Sequence, residues 1–504
     1  MKKKMGAKLG LVSIMALSLV TAACSSKNAA SGVPEDGKPL PVSIMSMYFT
    51  PEPPGADNVI VQEIEKKTNT DLNITWVSPN SYGDKVNVTL ASGDIPDLML
   101  VDEPFSAQVR TMVQQGAFWD LTPYIQDYPN LANFPAESWI NTKQADGNNY
   151  GIPRVRPVEG GAFLFLRKDW LDNLNMEVPE TTDELYEVLK AFTKDDPDGN
   201  GQDDTIGLTG LVNQNNMGSY WAIVSAFTQT TGDWKDVDGK LVNVNLMPEM
   251  RDALEWLSKA YKEGVISEDL AVLKESQTKD HLNAGRAGAA VNTVEAAWEP
   301  MEAQLKSNPD ANFLPLVSMN GYVNKDGGFF GMFVIPKTVS EEKMKKLLEL
   351  MDYGASEEGG TLAGYGLKDV HYTEENGIKM TTEKAKTDIV AQQALGQIFM
   401  PYDKYLRAYR AGMPMDIYER NMKIIDEREA ISIPDKAIGL YSETNISVGP
   451  ELAKNIQDMK TKIILGKQSL SDWDNYVEKL KNDSDLQKIT DELNQAYTDR
   501  QAAQ

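Results

Sequence analysis

The chain is poor in the residues that build thiol and transition-metal chemistry. Its 504 residues include one cysteine, Cys24, and two histidines, His281 and His371, which lie far apart. A His/Cys metal centre needs several such ligands at close spacing, so that class is excluded, and a lone thiol has no partner for redox chemistry. Each histidine reads as a surface or polar-core residue. Positive charge is also scarce, with 50 Lys and Arg against 74 Asp and Glu for a formal net charge of −24. Such a surface disfavours nucleic acid and anionic headgroups, although acidity by itself mainly reports solubility. There is no Walker loop, no G-x-S-x-G elbow and no internal repeat. Beyond the first 23 residues, no apolar run approaches the ~20 residues that span a bilayer.

The N-terminus is richer in signal. Lys2, Lys3, Lys4 and Lys8 make a basic start, residues 9–20 an apolar stretch too short to span, and Ala22 and Ala23 a small-residue cleavage site. Val20-Thr21-Ala22-Ala23-Cys24 resembles the lipobox of bacterial lipoproteins, with Thr21 where leucine is commonest. The resemblance implies removal of residues 1–23 and a diacylglycerol/acyl anchor (palmitate) on Cys24. It places the protein on the extracellular face of the cell membrane, bound there through lipid only, in a Gram-positive bacterium. A plain secretory signal with a coincidental cysteine is the alternative. Residues 25–32 are small and polar, as a flexible tether would be, and loss of the four signal lysines takes the net charge from −24 to −28.

About 480 residues follow the signal, too many for a single core, and 41% hydrophobic with 8% aromatic content supplies two. Strand periodicity over residues 41–47, 73–77 and 97–101 alternates with helical periodicity over 59–67 and 84–91. This predicts an α/β fold with a parallel sheet. Thr181-Thr182-Asp183-Glu184 is a capping box ahead of Leu185, Val188, Leu189 and Phe192, spaced as one helical face. Stripes through Leu254, Leu257 and Tyr261, through Met344, Leu347, Leu348 and Met351, and through Trp473, Tyr476, Val477 and Leu480 read as core-facing helices.

One acidic loop stands out. Asp196, Asp198, Asn200, Gln202 and Asp204 alternate around Gly201, the oxygen-donor spacing of the first part of an EF-hand loop, and predict a structural Ca²⁺. The closing acidic residue of that motif is absent, Thr205 and Gly207 standing there instead. A plain Asp/Gly/Asn turn between a helix and a strand is the competing reading.

Several short motifs occur in a recognisable order. Ala91-Ser92-Gly93-Asp94-Ile95-Pro96-Asp97 is followed by Gly116-Ala117-Phe118-Trp119-Asp120-Leu121-Thr122-Pro123-Tyr124 and by Tyr150-Gly151-Ile152-Pro153. Leu166-Arg167-Lys168-Asp169-Trp170-Leu171-Asp172 then precedes Val178-Pro179-Glu180-Thr181, and Ile464-Leu465-Gly466-Lys467 leads into Leu470-Ser471-Asp472-Trp473-Asp474. In this order the chain resembles the family-1 extracellular solute-binding lipoproteins that feed ABC importers, related to the maltose- and alginate-oligosaccharide-binding proteins. The resemblance implies a two-lobe, type II periplasmic-binding-protein-like fold, with hinge strands joining the lobes and a ligand cleft between them. It implies a tether over residues 24–40, a first lobe of residues 41–155 and 331–395, and a second of 156–330 and 396–504. Crossings are expected near residues 152–165, 329–335 and 393–402.

The function so implied is binding of an oligosaccharide, without catalysis, by a monomer that hands it to ABC permease subunits. Cleft positions near the expected hinges are Tyr48, Glu52, Asp102, Glu103, Arg154, Tyr220, Trp221, Trp298, Tyr365, Tyr402 and Arg407. Aromatic faces stack on sugar C–H patches and polar groups chelate hydroxyls. Arg154 and Arg156, set between prolines, suit an acidic sugar or a salt bridge across the hinge. Two other readings stay open: a surface-tethered glycoside-active enzyme using paired carboxylates, and a sugar-sensing accessory protein.

Overall fold

The computed structural model describes residues 37–50, 52–375, 378–410 and 412–502. Cys24, the signal segment and the tether as far as residue 36 lie outside the described residues.

The first of two main sheets has the strand order Thr70–Val77, Leu40–Met47, Leu98–Val101, Phe329–Val334, Ile152–Val155. Leu40–Met47 runs parallel to both neighbours, whereas Phe329–Val334 is antiparallel to both of its own. Leu98–Val101 is buried at every position, as a strand covered on both faces must be. Helices Val59–Thr68 and Pro79–Ser92 connect the first three strands in the βαβ manner, each ending on a left-handed residue, Asn69 and Gly93.

The second sheet orders Phe313–Pro315, Phe163–Arg167, Ala287–Asn292, Ile206–Leu208. The small residues of Ala287–Asn292 have a steric cause. A Cβ on Gly288 would stand 2.2 Å from the Phe192 ring and 2.9 Å from Trp170, because both aromatics press onto that strand. The capping box forms as expected, Thr181 accepting from the Glu184 amide at the start of helix Thr182–Lys194, and Leu185, Val188, Leu189 and Phe192 are all buried.

Two large cores result. One gathers residues between Leu40 and Val155 together with residues between Met332 and Phe399. The other gathers residues between Phe163 and Val323 with the C-terminal helices between Ile456 and Tyr497. The chain passes between the cores over residues 156–162 and again over 324–328. A third passage falls between Tyr402, packed on the first core, and Tyr405, packed in a satellite cluster with Ala408, Ile424 and Ile425. Residues 396–402 therefore differ from their expected place on the second lobe. Ile398 and Phe399 are buried in the first core, where Phe399 leaves no room for a side chain at Gly354.

Candidate functional site

Strand direction decides where a ligand can be met. The C-terminal ends of Leu40–Met47, Leu98–Val101 and Ile152–Val155 emerge at one edge of the first sheet, and the antiparallel Phe329–Val334 begins there. The chain leaves for the second lobe, and returns from it, at this same edge, so the edge faces that lobe. Ligands in open α/β sheets gather outside the carboxyl ends of the strands.

The edge carries aromatic and acidic groups side by side. Tyr48 is half-buried, Phe49 is 58% exposed and Phe330 is 40% exposed, high values for residues of that size. Phe329 meets Phe105 edge to face at 6.4 Å. Asp102 and Glu103, with Asn80, Asp84, Asn87 and Ser106, line a polar depression of about 260 Å³. Glu52 is exposed just beyond, its carbonyl accepting from the Thr50 hydroxyl. Flat faces beside hydroxyl-chelating groups match the two faces of a sugar ring.

The crossing segments form a charged floor. Arg407 Nη1 donates to Asp326 at 2.8 Å. Gly160 and Gly161 pass so close to this pair that a Cβ would meet the Arg407 stem at 2.9 Å and the Asp326 carboxylate at 2.5 Å. Glu159 is buried, and burial raises its pKa, with Lys325 Nζ 3.9 Å away and itself bonded to Glu137. Tyr402 is half-buried beside this group, and burial pushes its phenol up to about 12. Arg154 is 3% exposed, donates through Nε to the Gln397 carbonyl and lies under the Phe330 ring at 4.8 Å.

A clasp joins the lobes beside the aromatic edge. Arg110, buried on helix Ala107–Gln114, donates through Nη2 to the carbonyls of Leu440 and Gly439 at 3.1 and 3.4 Å. Its guanidinium sits between the rings of Phe105 and Tyr441, 5.0 and 5.2 Å from their centres. Beside the clasp a groove of about 950 Å³ separates residues 140–147 from residues 438–443 and the last helix.

Four expected cleft residues sit apart from this edge. Tyr220 is 0% exposed in the second core, its hydroxyl donating to the Gly210 carbonyl, so it presents no face to a ligand. Trp298 is 5% exposed in a small cluster with Phe165, Met301 and Met413. Tyr220 ends the 3-10 turn Gly218–Tyr220 and Trp298 follows the 3-10 turn Val294–Ala297, local geometry that residue spacing does not reveal. Trp221 is half-buried, 6.4 Å from Phe163, and lines a pocket of the second lobe shared with helix Glu443–Ile464. Tyr365 ends helix Glu357–Tyr365 and tilts against Tyr372 at 5.9 Å. Phe49, Phe330, Arg110 and Asp326 were not singled out by spacing, although Phe49 adjoins Tyr48 just past a strand end.

The acidic loop closes on its own side chains. The Asp196 carboxylate accepts from the amides of Asn200 and Gly201, and the Asn200 side-chain amide bridges Asp198 and Asp204 at 3.0 and 3.3 Å. Burial and the neighbouring Asp196 and Asp204 raise the pKa of Asp198. Among the described residues, no three His, Cys, Asp or Glu side chains are gathered as a metal site. The donor chemistry of the loop fits Ca²⁺, and the Asn200 side-chain amide lies between two of its carboxylates.

The profile of the bacterial extracellular solute-binding proteins matches residues 50–361. The polygalacturonan/rhamnogalacturonan-binding protein YtcQ of Bacillus subtilis (strain 168) is 32% identical over 509 residues, covering 97% of each chain. Lipoprotein LipO of the same strain is 31% identical over 500 residues, covering 95% of this chain and 96% of LipO. Among solved structures, the HMO-binding, ABC-transporter-associated solute-binding protein of Bifidobacterium longum infantis superimposes with a TM-score of 0.73. It is 20% identical and covers 92% of this chain and 99% of its own. The two-lobe fold expected from the ordered motifs is thus the fold found.

Proposed function

The chain belongs to the bacterial extracellular solute-binding protein family, and from that membership we propose that it is the receptor subunit of an ABC importer, taking an oligosaccharide between its lobes. One observation carries the choice of ligand class: exposed Phe49 and Phe330 stand with Asp102 and Glu103 along the strand-end edge that faces the second lobe. One protein similar to it over nearly its whole length, YtcQ, binds polygalacturonan and rhamnogalacturonan by name. Membership in a family of binding proteins favours capture over turnover. On this reading, hinge movement about residues 156–162, 324–328 and 402–405 closes the cleft, and the closed form is presented to permease subunits. The lipid on Cys24 keeps the receptor beside them.

A panel of labelled plant and algal oligosaccharides tests the reading. Saturable binding with every label recovered uncleaved supports it. Release of shortened products supports the glycoside-active reading instead, and absence of any saccharide binding removes both. We also propose that residues 196–204 take a structural Ca²⁺ through Asp196, Asp198, Asn200, Asp204 and the Gln202 carbonyl, supported by the winding of the loop. Chelation then lowers the melting temperature of the second lobe; an unchanged melt with no calcium in the purified protein contradicts it.

A further inference from the structure

Arg154 is an unusual residue for its position. It is 3% exposed, and its Nη1 and Nη2 are both buried without a hydrogen-bond partner among the described residues. A buried guanidinium normally pairs with a carboxylate, because removing its charge from water costs several kcal/mol unless every N–H is met. Among the described residues no carboxylate acts on Arg154; the charged and titratable groups that do are Arg156, which repels it, and the Tyr82 phenol. Arg154 and Arg156 are two apart along strand Ile152–Val155 and its exit, so both side chains leave on one face. Arg156 in turn faces Arg407, and its Nη1 reaches only the Val155 carbonyl and the Met400 sulfur. Three guanidinium groups therefore stand in a row at the cleft floor. A single carboxylate, Asp326, bonds to the last of them.

This uncompensated positive charge occurs in a chain of net charge −24. We propose that the row is completed by the ligand: the saccharide carries carboxylates, as a uronic acid oligomer does, and one of them is bound by Arg154 and Arg156. Resting on the oligosaccharide reading above, the proposal narrows it to acidic sugars. Arginine's planar fork matches a carboxylate through two parallel N–H···O bonds, which a neutral hydroxyl cannot reproduce. Phe330 is the cover. Its ring lies on the Arg154 guanidinium at 4.8 Å yet is 40% exposed, so turning it outward uncovers the unpaired nitrogens and offers the ring to the sugar face. The empty receptor holds the charge masked by an aromatic face, and the ligand exchanges that cation–π contact for ionic hydrogen bonds.

The test compares sugars that differ only in charge. Trigalacturonate and trimannuronate are titrated against the wild-type protein beside their methyl esters, with maltotriose and xylotriose as neutral sugars. The proposal predicts that at least one acid binds roughly 10- to 100-fold tighter than its own ester, the worth of an ionic hydrogen-bonded pair. Arg154→Gln and Arg156→Gln, checked for a native circular dichroism spectrum, then lose that preference, so that within each variant the acid binds no tighter than its own ester. Equal affinity for acid and ester, or binding of neutral sugars alone, overturns the proposal and leaves the oligosaccharide reading intact. Failure of all six saccharides to bind overturns both.

Discussion

Replacing Arg110 by methionine should open the receptor without unfolding either lobe. The guanidinium holds the lobes together through Nη2, with one good hydrogen bond to the Leu440 carbonyl at 3.1 Å and a long one to Gly439 at 3.4 Å. A hydrogen bond from a charged donor contributes about 1.5–3 kcal/mol, and the longer contact counts for little. Stacking on Tyr441 adds about 0.5–1 kcal/mol. Against this stands the cost of burying the group, visible in its lowered pKa and in Nη1, which has no partner among the described residues. A net of about 2 kcal/mol remains, a factor of roughly 30 in the closing equilibrium. Methionine keeps the apolar stem between the rings and loses only the Nε bond to Phe105 within the first lobe. Apparent affinity scales with the fraction of closed, binding-competent receptor, so the saccharide Kd should rise up to ~30-fold, with a larger radius of gyration in solution scattering. An Arg110→Met protein with wild-type affinity and an unchanged scattering curve would refute the reasoning.

Other consequences concern stability and location. Asp169→Ala strands the buried Arg167 guanidinium, which now bonds to Asp169 at 2.7 Å and to Gln304 at 2.6 Å; a loss of about 3–5 kcal/mol, and a melting temperature lower by roughly 6–20 °C, should follow. Burial raises the pKa of Glu295, whose Oε2 has no partner among the described residues, so the folded form holds that proton more tightly than the unfolded chain does. The stability this contributes is full below the unfolded carboxylate value and is lost as pH rises through the raised one. Glu295→Gln should therefore melt above wild type at pH 8 and match it near pH 4, and a variant that melts lower at pH 8 contradicts this. Cys24→Ala should bind saccharide normally and appear in the culture medium, whereas a variant retained on membranes contradicts the lipid anchor.

Local features of the fold were legible in the sequence because local physics sets them. The capping box at Thr181 and the apolar stripe behind it specify helix Thr182–Lys194 without help from the rest of the chain. The strand, helix, strand opening was equally readable, since alternation and turn residues are local. Sheet order was not. Phe329–Val334 inserts between strands that lie more than 170 residues earlier, and nothing near it marks that register. The same limit governs the site. Asp102 and Glu103 were found because they follow a strand, but Arg110 meets a carbonyl 330 residues away, and adjacency could not separate buried Tyr220 from half-buried Trp221. Arg154 drew notice as a charge between prolines; its want of a partner depends on what the other lobe and the crossings bring near it.

The central claim is that saccharide closes the two lobes on each other. Since Cys24 is the only cysteine, the mature body offers a thiol-free background for labelling once that position is removed. Val88, 64% exposed on the first lobe, and Val272, 77% exposed on the second, can be changed to cysteine with little disturbance and carry a spin-label pair. The account predicts that the distance distribution between them narrows and shifts on saturation with a bound oligosaccharide, and that Arg110→Met shifts the unliganded distribution the other way. A distribution unmoved by saturating ligand would contradict it.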